Sequence, residues 1–371
     1  MKKDKPFVKI RRSMAPLAWL YGLGVNFRNT LFDKNILKQE SFDIPIICVG
    51  NLTVGGTGKT PHIEYLIRLL SPTYKVAVLS RGYKRKSKGF LMVDTTSKVR
   101  KVGDEPLQIK QKFPETLVVV DKHRVNGIKK ILSIEKEQRP DVILLDDGFQ
   151  HRHVRPSLSI LLVDSNRPVF EDRLLPAGSL REPLKGKERA SIVIVTKCDA
   201  DMQPIDFRIY TNGLDLFAFQ QLYFTSFDYG MIVPLFPGMQ DNTLQMPDIR
   251  KKHVFLVAGI ASPQPLVDKL GHFTYNLYTQ FFPDHHAFRE KDIQSIRELV
   301  NTVEDNNKII ITTEKDAVRL RALSLDEEMK RMLYYIPVRV SFIDEEEQKQ
   351  FNNKILEHVR NHQTNSRLSA E

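Results

Sequence analysis

Cysteine and tryptophan are nearly missing: the 371 residues hold two of the first, Cys48 and Cys198, and one of the second, Trp19. Each cysteine sits beside an apolar, strand-like run. That scarcity excludes a disulfide framework and a cysteine-based zinc site, and it fits a reduced cytoplasmic setting. No uninterrupted apolar run approaches the ~20 residues that a spanning helix needs. No cleavage-site pattern follows the first apolar stretch, so no secretory signal is expected. Internal repeats and low-complexity blocks are absent too. What remains is an ordinary globular composition, 41% hydrophobic and 27% charged, long enough for about two domains.

Acid is also in deficit, with 45 Asp and Glu against 56 Lys and Arg, a net charge of +11. Such a balance attracts nucleotides, nucleic acid or anionic membranes, although a basic surface kept for solubility would produce it as well. The charge is clustered. Lys2, Lys3, Lys5, Lys9, Arg11 and Arg12 crowd the start, and Lys84, Arg85, Lys86 and Lys88 form a second group. After the first cluster Pro16 suits an opening helical turn, and Leu17, Leu20, Leu23 or Gly24, Phe27 and Leu31 recur at helical spacing. Trp19 and Tyr21 are rings that settle at a headgroup boundary. Residues 1–32 therefore read as an amphipathic helix lying on a membrane surface, with a helix docked on the protein's own core as the alternative.

From residue 43 onward, short β-branched runs alternate with helical patterns. The runs 44–49, 76–79, 117–120, 142–145, 159–163 and 192–195 are near-continuously apolar, as in strands buried on both faces of a parallel sheet. This predicts an α/β fold of the P-loop NTPase type, a mostly parallel, doubly wound sheet over residues 33–215. The pattern loosens around 200–250, where prolines, Gly230 and Gly238 suggest a connection. Further runs at 254–257, 273–280, 309–312 and 335–340 predict a second, smaller α/β domain over 216–345, a substrate or lid domain, with a C-terminal helix and polar tail over 346–371.

The strongest local signal is Gly50-Asn-Leu-Thr-Val-Gly55-Gly56-Thr57-Gly58-Lys59-Thr60, between a strand and a helix. Glycines let the backbone wrap phosphates closely, while loop N–H groups and the helix dipole hold negative charge. Thr53, Val54, Gly55, Gly56, Thr57, Gly58, Lys59 and Thr60 are the expected ATP-binding residues. Lys59 would reach the β- and γ-phosphates and Thr60 would ligate Mg2+. The strict pattern asks for glycine where Thr53 stands. An acidic strand end should complete the metal site, and Val142-Ile-Leu-Leu-Asp146-Asp147 supplies two candidates. Adjacent strand residues face opposite ways, so the two carboxylates must differ in role.

Three P-loop classes compete. Thr196-Lys197-Cys198-Asp199 matches the guanine-reading pattern of GTPases, but no Asp-x-x-Gly switch element follows the strand ending at Asp146. Partitioning ATPases carry a signature lysine where this chain has Val54. A kinase needs a base for its acceptor and a domain that closes over it. Asp104, in Gly103-Asp-Glu-Pro106, could be a helix N-cap or such a base. Phe282-Pro-Asp284-His285-His286 could be a surface loop or the base's partner, and its spacing disfavours zinc. Arg124, and Arg181 with Glu182, are candidate substrate or phosphate clamps, or ordinary surface charges.

Taken in order, Gly50 to Pro61, Ser80-Arg-Gly-Tyr83, Gly103-Asp-Glu-Pro106, Asp146-Asp-Gly-Phe-Gln-His151, Leu180-Arg-Glu-Pro183, Phe282-Pro-Asp-His285 and Thr313-Glu-Lys-Asp-Ala317 closely resemble the tetraacyldisaccharide 4′-kinase family of lipid A biosynthesis. The resemblance implies ATP- and Mg2+-dependent phosphorylation of the 4′-hydroxyl of a tetraacylated glucosamine disaccharide 1-phosphate. It implies a monotopic enzyme on the cytoplasmic face of a Gram-negative inner membrane, with an anionic glycolipid substrate, no nucleic acid and no stable protein partner. By matching positions, Asp104 is the catalytic aspartate, His285 its paired histidine, Lys59 and Thr60 the loop residues, Asp146 and Asp147 the strand-end pair. Arg124, Arg181 and Glu182 fall at charged active-site positions. The rival is a membrane-associated nucleotide switch, GTPase or ATPase, without kinase activity.

Overall fold

A computed structural model describes residues 10–199, 201–239 and 242–368. Lys2, Lys3, Lys5 and Lys9 of the first basic cluster lie outside them. The chain runs through α1 (Ala15–Asp33), β1 (Ile46–Asn51), α2 (Lys59–Leu70), β2 (Val76–Ser80), β3 (Leu91–Met92), α3 (Val99–Val102), α4 (Asp104–Lys112), β4 (Leu117–Val120), α5 (Arg124–Leu132), β5 (Val142–Asp146), β6 (Leu158–Asp164), β7 (Ile192–Thr196), α6 (Pro204–Leu214) and β8 (Gln221–Tyr229). It continues through β9 (Val233–Pro234), β10 (His253–Ala258), α7 (Gln264–Gly271), β11 (Leu277–Phe281), α8 (Glu290–Asn301), β12 (Lys308–Thr313), α9 (Glu314–Leu320), α10 (Glu327–Met332), β13 (Leu333–Ile336), β14 (Val338–Phe342) and α11 (Glu345–Leu368).

Two sheets result. The nine-stranded one has the order β14-β8-β7-β6-β1-β5-β2-β4-β3 and is parallel except at its two edges, β14 and β3. Strands β1, β2, β5, β6 and β7 are buried at every position, which explains their unbroken apolar sequence. β1 lies between β5 and β6; the chain leaves it toward β2 on one side and later crosses from β5 to β6 on the other. An open crevice forms at such a switch point, and the glycine-rich loop sits there. The five-stranded sheet, β11-β10-β12-β13-β9, is parallel apart from β9.

The division between the sheets differs from the expected boundaries at 215 and 345. β8, in the stretch read as a loose connection, joins the large sheet beside β7. Its burial is mixed, so no continuous apolar run marks it. The run 335–340, read as one strand, breaks at Pro337. Proline has no N–H for a ladder, and the chain passes there from β13 in the small sheet to β14 in the large one. Phe351, Ile355 and Val359 of α11 then pack into the large sheet's core.

The sheets meet where α4 packs on α9. Lys112 bridges Glu64 of α2 at 2.6 Å and Glu314 of α9 at 2.7 Å. Burial, then the Glu314 charge, pushes the Glu64 carboxyl up to about 7, partly offset by Lys112. One ion cluster thus ties the loop-bearing helix to the second sheet.

Helix α1 forms as expected, and it docks by a face of small and polar residues that ends in the buried Phe32. Ala18 and Gly22 are buried, and a Cβ on Gly22 would stand 2.8 Å from Leu174. Tyr21 Oη donates to the Arg181 carbonyl at 2.8 Å, and Arg28 to the Gln150 carbonyl at 3.1 Å. Leu17, Trp19, Leu20, Leu23 and Phe27 are left exposed, Trp19 at 65% and Phe27 at 68%. Among the described residues no helix is long and apolar enough to cross a membrane.

Candidate active site

The glycine-rich loop leaves β1 and enters α2 with Gly55 at φ 110° and Gly58 at φ 84°. These left-handed positions provide the turns that side-chain-bearing residues resist. Thr53, standing where the strict pattern has glycine, is buried and pairs with Leu180. It forms an isolated bridge two residues beyond β1, and the tight curvature begins after it. Val54 is anchored through its N–H to the Ser179 carbonyl at 2.8 Å. Thr57 is buried, with Oγ1 lacking a protein partner.

The two aspartates at the end of β5 diverge, as alternation requires. Asp146 turns inward and accepts from Ser80 Oγ at 2.9 Å, while its Oδ1 is buried without a partner. Burial, then the Glu105 and Asp147 charges, pushes its carboxyl up to about 7 despite Lys59. Asp147, at φ 50°, turns toward the loop, 3.4 Å from Lys59 Nζ and 3.3 Å from Arg181 Nη1. Burial opposes its ionisation, but Lys59 and Arg181 win and hold it at about 2.

These facts bear on a divalent cation. A buried carboxylate oxygen with no donor, crowded by other acids, is a group that a cation would satisfy. No cluster of three or more His, Cys, Asp or Glu able to hold a metal occurs among the described residues. A Mg2+ ion would instead draw on Asp146, the Thr60 hydroxyl, water and phosphate oxygens, its usual company in such sites. The residues present fit it.

Asp104 begins α4 just inside its N-cap, which is Gly103. The helix start was expected there, but the aspartate does not cap it. Its Oδ2 accepts from His285 Nδ1 at 2.9 Å and from Arg319 Nη2. His285 and Arg319 belong to the second sheet's side, so both sheets build this cluster. Burial opposes charge on Asp104, yet the His285 hydrogen bond, Arg319 and Lys315 hold its carboxyl well below the ordinary range. Lys315 Nζ meets His285 Nε2 at 3.1 Å, Asp284 at 3.3 Å and Glu105 at 3.4 Å. A lysine donating to Nε2 leaves the ring proton on Nδ1, facing Asp104. Arg319 also pairs with the fully buried Asp316 at 2.7 Å.

Asp104 connects back to the loop side through backbone. A Cβ on Gly103 would stand 3.2 Å from Gly82 Cα, and Gly82 N–H points to Ser80 Oγ, the hydroxyl on Asp146, at 3.5 Å. Glycine at 82 and 103 allows the approach that brings α4 beside the strand-end acids.

Two of the expected clamps are occupied elsewhere. Arg124 is 2% exposed and donates to the carbonyls of Asp121 and Asp146. Glu182, also 2% exposed, pairs with Arg189 at 2.9 Å. Neither faces open space; Arg124 braces the turn after β5, and Glu182 neutralises Arg189. Arg181 does reach the loop side. Arg319 and Lys315 escaped sequence reasoning; the Thr313-Glu-Lys-Asp-Ala317 motif pointed at the right helix without distinguishing them.

A glycine-rich phosphate loop at a switch point, a strand-end acid pair, and an Asp–His pair offered by a second sheet together define a P-loop phosphotransferase. A family model described as tetraacyldisaccharide-1-P 4′-kinase matches residues 10–360. The chain belongs to that family. It is 50% identical to a tetraacyldisaccharide 4′-kinase of Parabacteroides distasonis over 353 residues, 95% of each chain. It is 48% identical to one of Phocaeicola vulgatus over 364 residues, 98% of this chain and 99% of that one. A crystal structure of LpxK from Aquifex aeolicus in complex with ATP superposes with a TM-score of 0.70 at 30% identity, covering 92% of this chain and 98% of that one.

Proposed function

We propose that this chain transfers the γ-phosphate of ATP to the 4′-hydroxyl of a tetraacylated disaccharide 1-phosphate, at the cytoplasmic face of a Gram-negative inner membrane. Family membership supports the reaction. The observation carrying the site assignment is the Asp104–His285 hydrogen bond joining the two sheets beside the loop.

In this reading the N–H groups of residues 55–60 and the Lys59 ammonium hold the phosphates, in-line with the acceptor. Thr60 and Asp146 are the residues that would hold Mg2+, which supplies charge neutralisation between the phosphates when bound. Asp147 fixes Lys59 and Arg181 on the loop side. Asp104 accepts the hydrogen bond of the attacking hydroxyl and later its proton, with His285 orienting the carboxylate.

The exposed stripe of α1 supports peripheral attachment. Rings and leucines at one helix face, preceded by Arg11 and Arg12, suit the headgroup boundary of an anionic membrane. Replacing Trp19 and Phe27 together by Asp should lower affinity for anionic vesicles, read by co-sedimentation, by up to about 10³-fold, since each buried ring contributes roughly 2 kcal/mol. Turnover of a detergent-dispersed acceptor should change little. Unchanged vesicle binding would remove α1 from the membrane contact.

A nucleotide switch is separable from a kinase by its dependence on the acceptor. Phosphate consumption from ATP should rise sharply when the acylated disaccharide is added, with ATP preferred over GTP, and Lys59→Met should abolish it. Acceptor-independent release of phosphate, or preference for GTP, would favour the switch.

A further inference from the structure

The Thr196-Lys197-Cys198-Asp199 segment has no role in the reaction as described, although its sequence mimics a base-reading motif. Two of its side chains reach the back of the phosphate loop. Thr196 Oγ1 donates to the Thr57 carbonyl at 3.0 Å, and Lys197 Nζ donates to the Gly56 carbonyl. Lys197 stands at φ 59°, an uncommon conformation for a non-glycine residue that the surrounding structure must hold. Ser165 Oγ fixes its carbonyl at 2.7 Å. Its charge is neutralised by Asp164 at 2.6 Å, so this lysine is not a free cation waiting for phosphate.

Two further side chains act in the same sense. His62 Nδ1 lies 2.8 Å from the Gly58 carbonyl and Arg167 Nη1 lies 3.5 Å from that of Val54. Burial keeps His62 neutral, its value pushed down to about 4, and a carbonyl can only accept, so Nδ1 carries the proton. Carbonyls at 54, 56, 57 and 58 are therefore each held from outside the loop. Among the described residues, the N–H groups of Gly55, Thr57 and Gly58, which follow the held carbonyls of Val54, Gly56 and Thr57, meet no acceptor. A peptide unit is rigid: fixing its carbonyl outward fixes the next N–H in the opposite direction. Loop amides turned inward and unpaired form a nest for an anion.

We propose that Thr196 and Lys197 are positioning residues for nucleotide phosphates, holding the Thr57 and Gly56 carbonyls outward so that the loop amides are preset for the anion. The inference rests on the proposed role of the loop as the ATP site. A GTPase-like sequence here serves the loop's shape rather than the choice of base. Such preorganisation lowers the cost of ordering the loop on binding, so its loss should fall on nucleotide affinity and spare the lipid.

The test is steady-state kinetics on Lys197→Met and Lys197→Arg, with ADP titration calorimetry in the absence of lipid and a thermal melt of each. Losing a hydrogen bond to a charged donor should raise KM for ATP, and weaken ADP, by about 10- to 100-fold. KM for the acylated disaccharide should not move. Arginine, which can still pair with Asp164 and donate to a carbonyl, should recover most of the loss. Unchanged ATP KM and ADP affinity, or an equal rise in both KM values with a lowered Tm, would overturn the proposal. If Lys197→Met does not fold, Thr196→Val keeps the shape and deletes one hydroxyl. It should raise KM for ATP by about 3- to 10-fold, and no change would also overturn it. Lys59→Met separates the two layers. If it retains nucleotide turnover, the loop reading itself fails and carries this proposal with it. If it fails to turn over while Lys197→Met binds ADP normally, only the tether is wrong.

Discussion

Asp104→Asn should reduce kcat for lipid phosphorylation by about 10²- to 10⁴-fold, the usual contribution of a positioned base, while ADP affinity stays within a factor of about two. The amide keeps the size of the side chain and can still accept from Arg319 or His285. The loss therefore reports the missing acceptor for the hydroxyl proton rather than a collapsed site. A carboxylate held so low is a weak base toward a free alcohol. Phosphoryl transfer does not need a strong one, because the transition state is loose and the attacking oxygen becomes acidic only as its bond to phosphorus forms. Asp104 need only orient the hydroxyl and take its proton late. Near-normal kcat in the variant would contradict its role, and an equal loss of ADP binding would point to damage at the loop.

Arg319→Leu should destabilise the protein by about 3–5 kcal/mol. The guanidinium serves two buried carboxylates, Asp104 and Asp316, and removing it leaves both short of a counter-charge in a buried interface. Asp316 would keep its bonds from the Gly259 N–H and the Thr313 hydroxyl; Asp104 would keep His285, the Glu105 N–H at 3.1 Å and the nearby Lys315. The linkage has a definite sign. A carboxylate whose folded value lies below its unfolded one, near 3.8, contributes stability above that unfolded value and loses it as pH falls through the folded one. Wild-type stability should thus fall progressively as pH drops below about 4, and the variant, with Asp104 less depressed, should show a shallower share of that drop. Urea melts at neutral and acidic pH measure both. A variant as stable as the parent would mean that the sheets do not depend on this arginine for their contact.

The parallel sheet and the phosphate loop were legible because their signals are local. Buried strands such as Val142–Asp146 are apolar without interruption, and a loop followed by Lys59 and Thr60 sits between a strand and a helix in consecutive residues. Asp146 and Asp147 could be assigned different directions from the pleat alone. Sheet membership of β8 and β14 was not legible, since both are short of continuous apolar residues and pair with each other in antiparallel register. The partners of Arg124 and Glu182 were not legible for a related reason. Charged residues are mostly exposed, and only the fold reveals that these two are spent on Asp146 and Arg189. Arg319 lies 215 residues from the aspartate it pairs with, a separation no spacing rule spans. The family resemblance put Asp104 and His285 together, 181 residues apart in sequence, because it carries long-range information that periodicity lacks.

The account turns on where the phosphate goes. The most direct measurement supplies γ-labelled ATP and tetraacylated disaccharide 1-phosphate, isolates the lipid, and locates the label by position. The account predicts one new phosphomonoester, on the 4′-oxygen, formed by the parent and absent with Asp104→Asn. Label in free phosphate alone, at the existing 1-phosphate, or at an unchanged level in the variant would contradict it.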